Sequence, residues 1–307
     1  MKLTTLLRCC CPALLLAAVT ASAPAQTDDF NDGNDAGWTK YEPLKGYGVA
    51  SSIAVSGGAY VLTCDPSPNP TQLGQSRVGA LRQGTVYSTF CVTVDIANWN
   101  PAEDTSMGIL ARLQSNPPPG LGTTNGYAFT YQGKDGDVQI SRVDGEVPTS
   151  LSGSPDVSLT AGESYRMVFF GIGSHLEGRI YATGDLVNPL ITATGNDAGY
   201  SQGTCGLVIF ADENTRASAT FDNYNATAGT PPPVAVSIAE GITTVSWNSA
   251  SSLCHSLQAS NDLLTWSPLF GFTAAGGNTV FSETWDFRVS SRFFRLRMGP
   301  AGIGVAR

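Results

Sequence analysis

Hydrophobic residues in this chain recur at every second position, in run after run, with turn formers between the runs. In Phe90-Cys91-Val92-Thr93-Val94-Asp95-Ile96, Val92, Val94 and Ile96 alternate with Cys91, Thr93 and Asp95. Met107, Ile109, Ala111 and Leu113 share one face of a second run, and Tyr127, Phe129 and Tyr131 share one face of a third. Val138, Ile140 and Val143 follow the turn Gly133-Lys134-Asp135-Gly136, and segments 164–170, 176–181, 206–210 and 219–224 continue the series. Successive side chains of a strand point to opposite faces, so period two means strands with one buried face. No capped segment of period 3.6 reaches helix length. So many short strands must close their apolar faces in two layers, which predicts an all-β fold, a sandwich or jelly roll.

Length and charge narrow the partners. The 307 residues carry a net charge of −8, with 42% hydrophobic and only 14% charged residues. That hydrophobic content excludes a mainly disordered chain. An acidic balance offers no Lys/Arg patch to displace phosphate counterions, so nucleic acid is not an expected partner. Lys2 and Arg8 precede the apolar run Ala13–Val19 and the small residues Ala21-Ser22-Ala23-Pro24-Ala25. This is the pattern of a secretory signal peptide over residues 1–25, and it predicts a secreted or cell-surface protein, extracellular or periplasmic. No later apolar run approaches the roughly 18 residues a membrane span needs, so no membrane span is expected.

Gly229-Thr230-Pro231-Pro232-Pro233 reads as a stiff linker. It separates a body of residues 26–228 from a smaller β-sandwich at 234–298, with a tail at 299–307. Cys64, Cys91, Cys205 and Cys254 remain after the leader, and four cysteines allow three full pairings among which the sequence does not choose. A Cys64–Cys91 bridge beside two free thiols is the expectation carried forward.

The opening Asp28-Asp29-Phe30-Asn31-Asp32-Gly33 with Gly37-Trp38 resembles the first strand of concanavalin-A-like or laminin-G-like domains. So do the strand Gly108–Arg112 followed by Gly126–Phe129, and the closing Ala219-Thr220-Phe221-Asp222-Asn223-Tyr224. Thr244-Val245-Ser246-Trp247, Leu257–Trp266 and Ser291–Arg297 look like a small fibronectin-III-like sandwich of the kind seen at the ends of secreted Verrucomicrobia-type bacterial proteins. The first resemblance implies a fold that hosts lectins, glucanases and adhesion modules, so it does not fix a function. It also implies a structural calcium between the first and last strands, on Asp29, the Gly33 carbonyl and Asp222. Turn formation alone is the competing use of that Asp- and Asn-rich stretch.

Candidate chemistry is sparse. The Glu-x-Asp-x-x-Glu pattern of retaining glucanases is missing, and the glutamates, Glu146 among them, sit in contexts that read as solvated turns. No Gly-x-Ser-x-Gly elbow occurs, and His175 and His255 lack an evident orienting partner. Catalytic residues are therefore assigned to none. For ligand binding, Tyr127 and Tyr131 could offer rings and hydroxyls to a sugar, although three aromatics on one strand face also suit a core. Trp99, in Asn98-Trp99-Asn100-Pro101, is the aromatic expected to be exposed, and Arg112 could line a concave sheet or be solvated. The expected function is non-catalytic binding of a polysaccharide or extracellular glycoconjugate, in an adhesion-type protein. A glycoside hydrolase or lyase with an unrecognised site, or a structural extracellular protein, are the alternatives.

Overall fold

The computed structural model describes residues 25–114, 121–186, 188–211, 214–228, 235–239, 241–249, 254–273, 277–284 and 292–299. The leader, the 229–233 linker, the proline run at 116–119 and residues 300–307 lie outside them, as does the side chain of Cys254.

The larger body carries fifteen strands among the described residues. The first eight are β1 (Gln26–Asp28), β2 (Trp38–Tyr41), β3 (Ser51–Ser56), β4 (Ala59–Cys64), β5 (Arg77–Tyr87), β6 (Phe90–Ala97), β7 (Thr105–Leu113) and β8 (Gly126–Gln132). They are followed by β9 (Val138–Asp144), β10 (Val147–Ser150), β11 (Tyr165–Ile172), β12 (His175–Ala182), β13 (Ile191–Asn196), β14 (Gly203–Ala211) and β15 (Ala217–Thr227). One sheet has the order β13-β12-β11-β6-β15-β4-β3, with β1 also paired to β15; the other runs β10-β9-β8-β7-β14-β5-β2. All the pairings are antiparallel. Two inner strands, β15 and β14, one in each sheet, are the last strands of this body to be made. The one α-helix among the described residues is a single turn, α1 (Pro70–Leu73), capped by the Asn69 side chain accepting from the Gln72 N–H.

The alternation read from the sequence sets what lies between the sheets. Val92, Val94 and Ile96 of β6 face Ile109 of β7 and Phe129 of β8 in one buried cluster. Each such side chain contributes about 1.5–3 kcal/mol when fully buried. The residues of opposite parity lie on the far faces. β1 lies along β15 with Gln26 opposite Ala226 and Asp28 opposite Tyr224, so the opening segment does sit beside the closing one.

No Cys64–Cys91 bridge forms. Both cysteines are buried and outside any disulfide, as is Cys205. Cys64 is in register with Ala217 and Cys91 with Thr227, at opposite ends of β15. Ten positions at about 3.3 Å each part them by roughly 30 Å, whereas bridged Cα atoms lie within about 7 Å.

The smaller body is also a β-sandwich. β16 (Ala235–Ala239), β17 (Ile242–Ser249) and β20 (Gly277–Thr284) form one three-stranded sheet. β18 (Cys254–Ser260), β19 (Ser267–Thr273) and β21 (Phe293–Gly299) form the other. Val245, Trp247, Leu257 and Leu296 make its buried centre.

Candidate functional site

The far face of each sheet in a two-layer sandwich meets water unless other chain covers it. On the seven-stranded sheet, Leu110, Ala128, Val143 and Val208 occupy that face, and none is more than 9% exposed. Together with half-buried Phe210 they floor a groove of about 450 Å³. One row of the groove crosses six strands: Tyr41, Gly79, Val208, Gly108, Thr130 and Gln139 stand in register. A Cβ at Gly108 would come 2.0 Å from the Phe129 carbonyl oxygen, so only glycine fits there and the floor stays low beside Val208. Three segments raise the walls: Gln72–Gln75 at the end of α1, the stretch 121–124, and the β9–β10 hairpin at Gly145–Pro148.

The hairpin brings the one carboxylate among the described lining residues. Gly145 and Glu146 have φ of 57° and 72°, the left-handed pair of a tight hairpin turn. Glycine is the easy residue at the second position, and a glutamate there costs on the order of 1 kcal/mol. Its side chain is nevertheless turned inward, 5% exposed, onto Arg77 of β5. Arg77 Nε donates to Glu146 Oε2 at 3.0 Å, and Nη2 donates to the same oxygen. The Tyr41 hydroxyl donates to Glu146 Oε1. Arg77 Nη1 donates to the carbonyls of Leu73 at 3.2 Å and Gln75 at 2.7 Å. One guanidinium thus ties β5, the 72–75 wall and the hairpin wall together. Burial first, and then the Glu146 charge, hold the Tyr41 hydroxyl far above the ordinary phenol range.

Chemically, the described lining offers polar groups and an apolar floor beside one carboxylate. Glycosidases flank the scissile bond with two carboxyl groups, about 5–5.5 Å apart for retention or 6.5–9.5 Å for inversion. Here a single carboxylate has both oxygens engaged. Gln72, Gln75, Gln139, Thr130 and Ser141 supply amide and hydroxyl groups, and Phe210 supplies a ring face.

The residues picked from the sequence lie elsewhere. Trp99 is buried, against the expectation of exposure: its loop folds back so that the indole packs edge-on to Tyr131 at 5.7 Å and beside Tyr165 at 6.1 Å. Tyr127 and Tyr131 face the space between the sheets and are at most 1% exposed. The Tyr127 hydroxyl donates to Asp197 Oδ1 at 2.6 Å and accepts from the Tyr200 N–H; burial first, then Asp197, pushes it up to about 12. Arg112 neither lines the groove nor meets solvent. It sits at a bulge of β7 with φ of 49°, and its guanidinium is buried over the rings of Phe90 and Tyr127. Glu146, read as a solvated turn carboxylate, is the residue the sequence misplaced; its partners lie 69 and 105 positions away.

At the end of β1 and in the loop after it, Asp28, Asp29, Asp32 and Asn34 each accept the backbone N–H two residues on, a run of local turns. Asp29 and Asp222 come close enough for their charges to interact: burial first, then Asp95 and Asp29, hold the Asp222 carboxyl above its usual value. A calcium ion here would need a shell of six to eight oxygens. No group of three His, Cys, Asp or Glu that could hold a metal occurs among the described residues, so carbonyls such as that of Gly33 would have to complete it.

No protein-family profile matches the sequence, and no curated protein does either. The fold is similar to several solved structures. A carbohydrate-binding module, CBM66 from Bacillus subtilis, is 15% identical with a TM-score of 0.45, covering 63% of this chain and 97% of the module. Lectin II from Ulex europaeus is 12% identical, with a TM-score of 0.46, over 67% of this chain and 99% of the lectin. A prokaryotic β-1,3-1,4-glucanase (lichenase) from a mouse hindgut metagenome is 14% identical, with a TM-score of 0.44, over 66% of this chain and 98% of the enzyme. A binding module, a lectin and a hydrolase stand side by side in this set, so the likeness does not sort binding from catalysis.

Proposed function

We propose that this protein binds carbohydrate without cleaving it, at the groove on the far face of the seven-stranded sheet. The observation that carries the reading is the covered apolar floor, bordered by amides and hydroxyls, with its one carboxylate already engaged by Arg77 and Tyr41. Apolar ring faces of a sugar can lie on Phe210 and Leu110, while hydroxyls exchange hydrogen bonds with Gln139, Thr130 and Ser141. The leader pattern at residues 1–25 supports action outside the cytoplasm on a polysaccharide or extracellular glycoconjugate. Among the described residues no helix is long and apolar enough to cross a membrane. The small C-terminal sandwich, fibronectin-III-like in its sequence pattern, serves in this reading as a spacer or attachment module.

A structural calcium belongs to the same proposal. Asp29, the Gly33 carbonyl and Asp222 would hold it, and it would offset the repulsion between the two carboxylates and fasten β1 against β15.

The test is a glycan array run with calcium and with chelator, alongside a reducing-end assay on the same polysaccharides. Binding without new reducing ends is the expected result. New reducing ends would replace the reading by a hydrolase, and silence in both assays would favour a structural protein. A melting temperature that is the same in calcium and in chelator would remove the metal from the proposal.

A further inference from the structure

The charged groups of the groove are few and paired with each other. Arg77 and Glu146 are the one base and the one acid among its described lining residues. They neutralise each other: Nε and Nη2 of Arg77 are spent on Glu146 Oε2, and Nη1 on the carbonyls of Leu73 and Gln75. The planar fork that would recognise a carboxylate or sulfate on a ligand is therefore already occupied by the protein's own carboxylate. An anionic ligand could claim it only by displacing Glu146. That would strand a carboxylate 5% exposed, beside a Tyr41 hydroxyl that resists ionisation and offers it only one proton. The net charge of −8 adds a long-range repulsion for polyanions.

Resting on the groove reading above, we propose that Glu146 is the specificity-determining residue. By occupying the Arg77 fork it restricts the groove to uncharged glycans and excludes uronic-acid and sulfated ones. The strained backbone at Glu146 is consistent with that role, since glycine would make the same turn without supplying the carboxylate.

The proposal is tested by affinity electrophoresis of the whole protein through gels containing a neutral β-glucan, neutral galactomannan or polygalacturonate. The wild type and Glu146→Gln are compared. The amide removes the charge while keeping the size, and so leaves the Arg77 cation uncompensated. The wild type should be retarded by a neutral polysaccharide alone, and Glu146→Gln should gain at least about tenfold in affinity for polygalacturonate. Should the variant fail to fold, the salt dependence of wild-type retardation decides. Affinity that stays constant between 50 and 500 mM NaCl supports an uncharged ligand, and a steep fall overturns the proposal. Wild-type retardation by polygalacturonate would overturn the charge selection while leaving the groove reading intact. No retardation by any of the three would overturn both.

Discussion

Arg112 Nη1 donates to the carbonyl oxygen of Gly173 at 2.8 Å, joining β7 of one sheet to the β11–β12 turn of the other. The same guanidinium reaches the Tyr200 carbonyl at 3.0 Å, and the Ser88 carbonyl at 3.0 Å through Nε and 2.7 Å through Nη2. Arg112→Met keeps the apolar stem and deserts three carbonyls. Ser88 and Gly173 are exposed and Tyr200 is half-buried, so water can take over part of what the guanidinium supplies; the loss should be about 2 kcal/mol and the melting temperature should fall by about 5 °C. Arg112→Lys, with a point charge in place of the fork, should fall in between. A change of under about 2 °C in urea-checked thermal melts would show that the guanidinium is not a fastener.

Ligand contact and stability should separate at Phe210. The side chain is half-buried in the groove rather than in the inter-sheet core, so Phe210→Ala should weaken glycan binding about tenfold through loss of the ring face. The melting temperature should move by less than about 3 °C. Titration calorimetry with whichever glycan binds, beside a thermal melt, checks both halves. Unchanged affinity would move the binding face elsewhere.

Thiol chemistry should be silent in the folded state. Burial, first among the causes, pushes the thiols of Cys64 and Cys205 up to about 12, so little thiolate exists at pH 8. Iodoacetamide at pH 8 should leave the peptides bearing Cys64, Cys91 and Cys205 unlabelled, and urea should open all three. A disulfide-linked Cys64–Cys91 peptide under non-reducing digestion would contradict the register along β15.

A like-charge pair should show in the pH profile. An isolated bridge places Asp137 opposite Asp156, and burial first, then the charges of Asp156 and Asp135, hold the Asp137 carboxyl above its usual value. A carboxyl raised on folding binds more protons in the folded state than in the unfolded one. Stability is therefore lost as pH rises from the unfolded value of about 3.9 through the folded one, and the cost is complete at neutral pH. Asp156→Asn should raise the melting temperature at pH 7 by about 2 °C. The gain should vanish below about pH 3. An equal gain at both pH values would point to turn geometry rather than charge.

The strands were legible because alternation is a local signal. Val92, Val94 and Ile96 declare a face whatever lies opposite them. Tyr127, Phe129 and Tyr131 declared a shared face equally well, but nothing local says whether a second sheet or a ligand covers it. Trp99 carried polar and proline neighbours and is in a loop, yet that loop folds inward over Gly133, where a Cβ would stand 2.6 Å from the indole Cδ1. The groove stayed hidden for the same reason on a larger scale. Its charged pair joins positions 77 and 146, and its floor is read across strands whose order in the sheet is not their order in the chain.

That order bears on how the protein comes to exist. β14 fits between β7 and β5, and β15 between β6 and β4, so the final pair of successive strands of the larger body, one in each sheet, is the keystone of both sheets at once. Until residues 203–227 have emerged, each sheet is two separate fragments with bare inner edges, and β1 has no neighbour to pair with. Unpaired edges of apolar strands recruit other chains. Some 200 residues must wait in that condition, through synthesis and any export, before a single late insertion closes the structure. Folding of this body should therefore be slow, nearly all-or-none, and sensitive to truncation after residue 202.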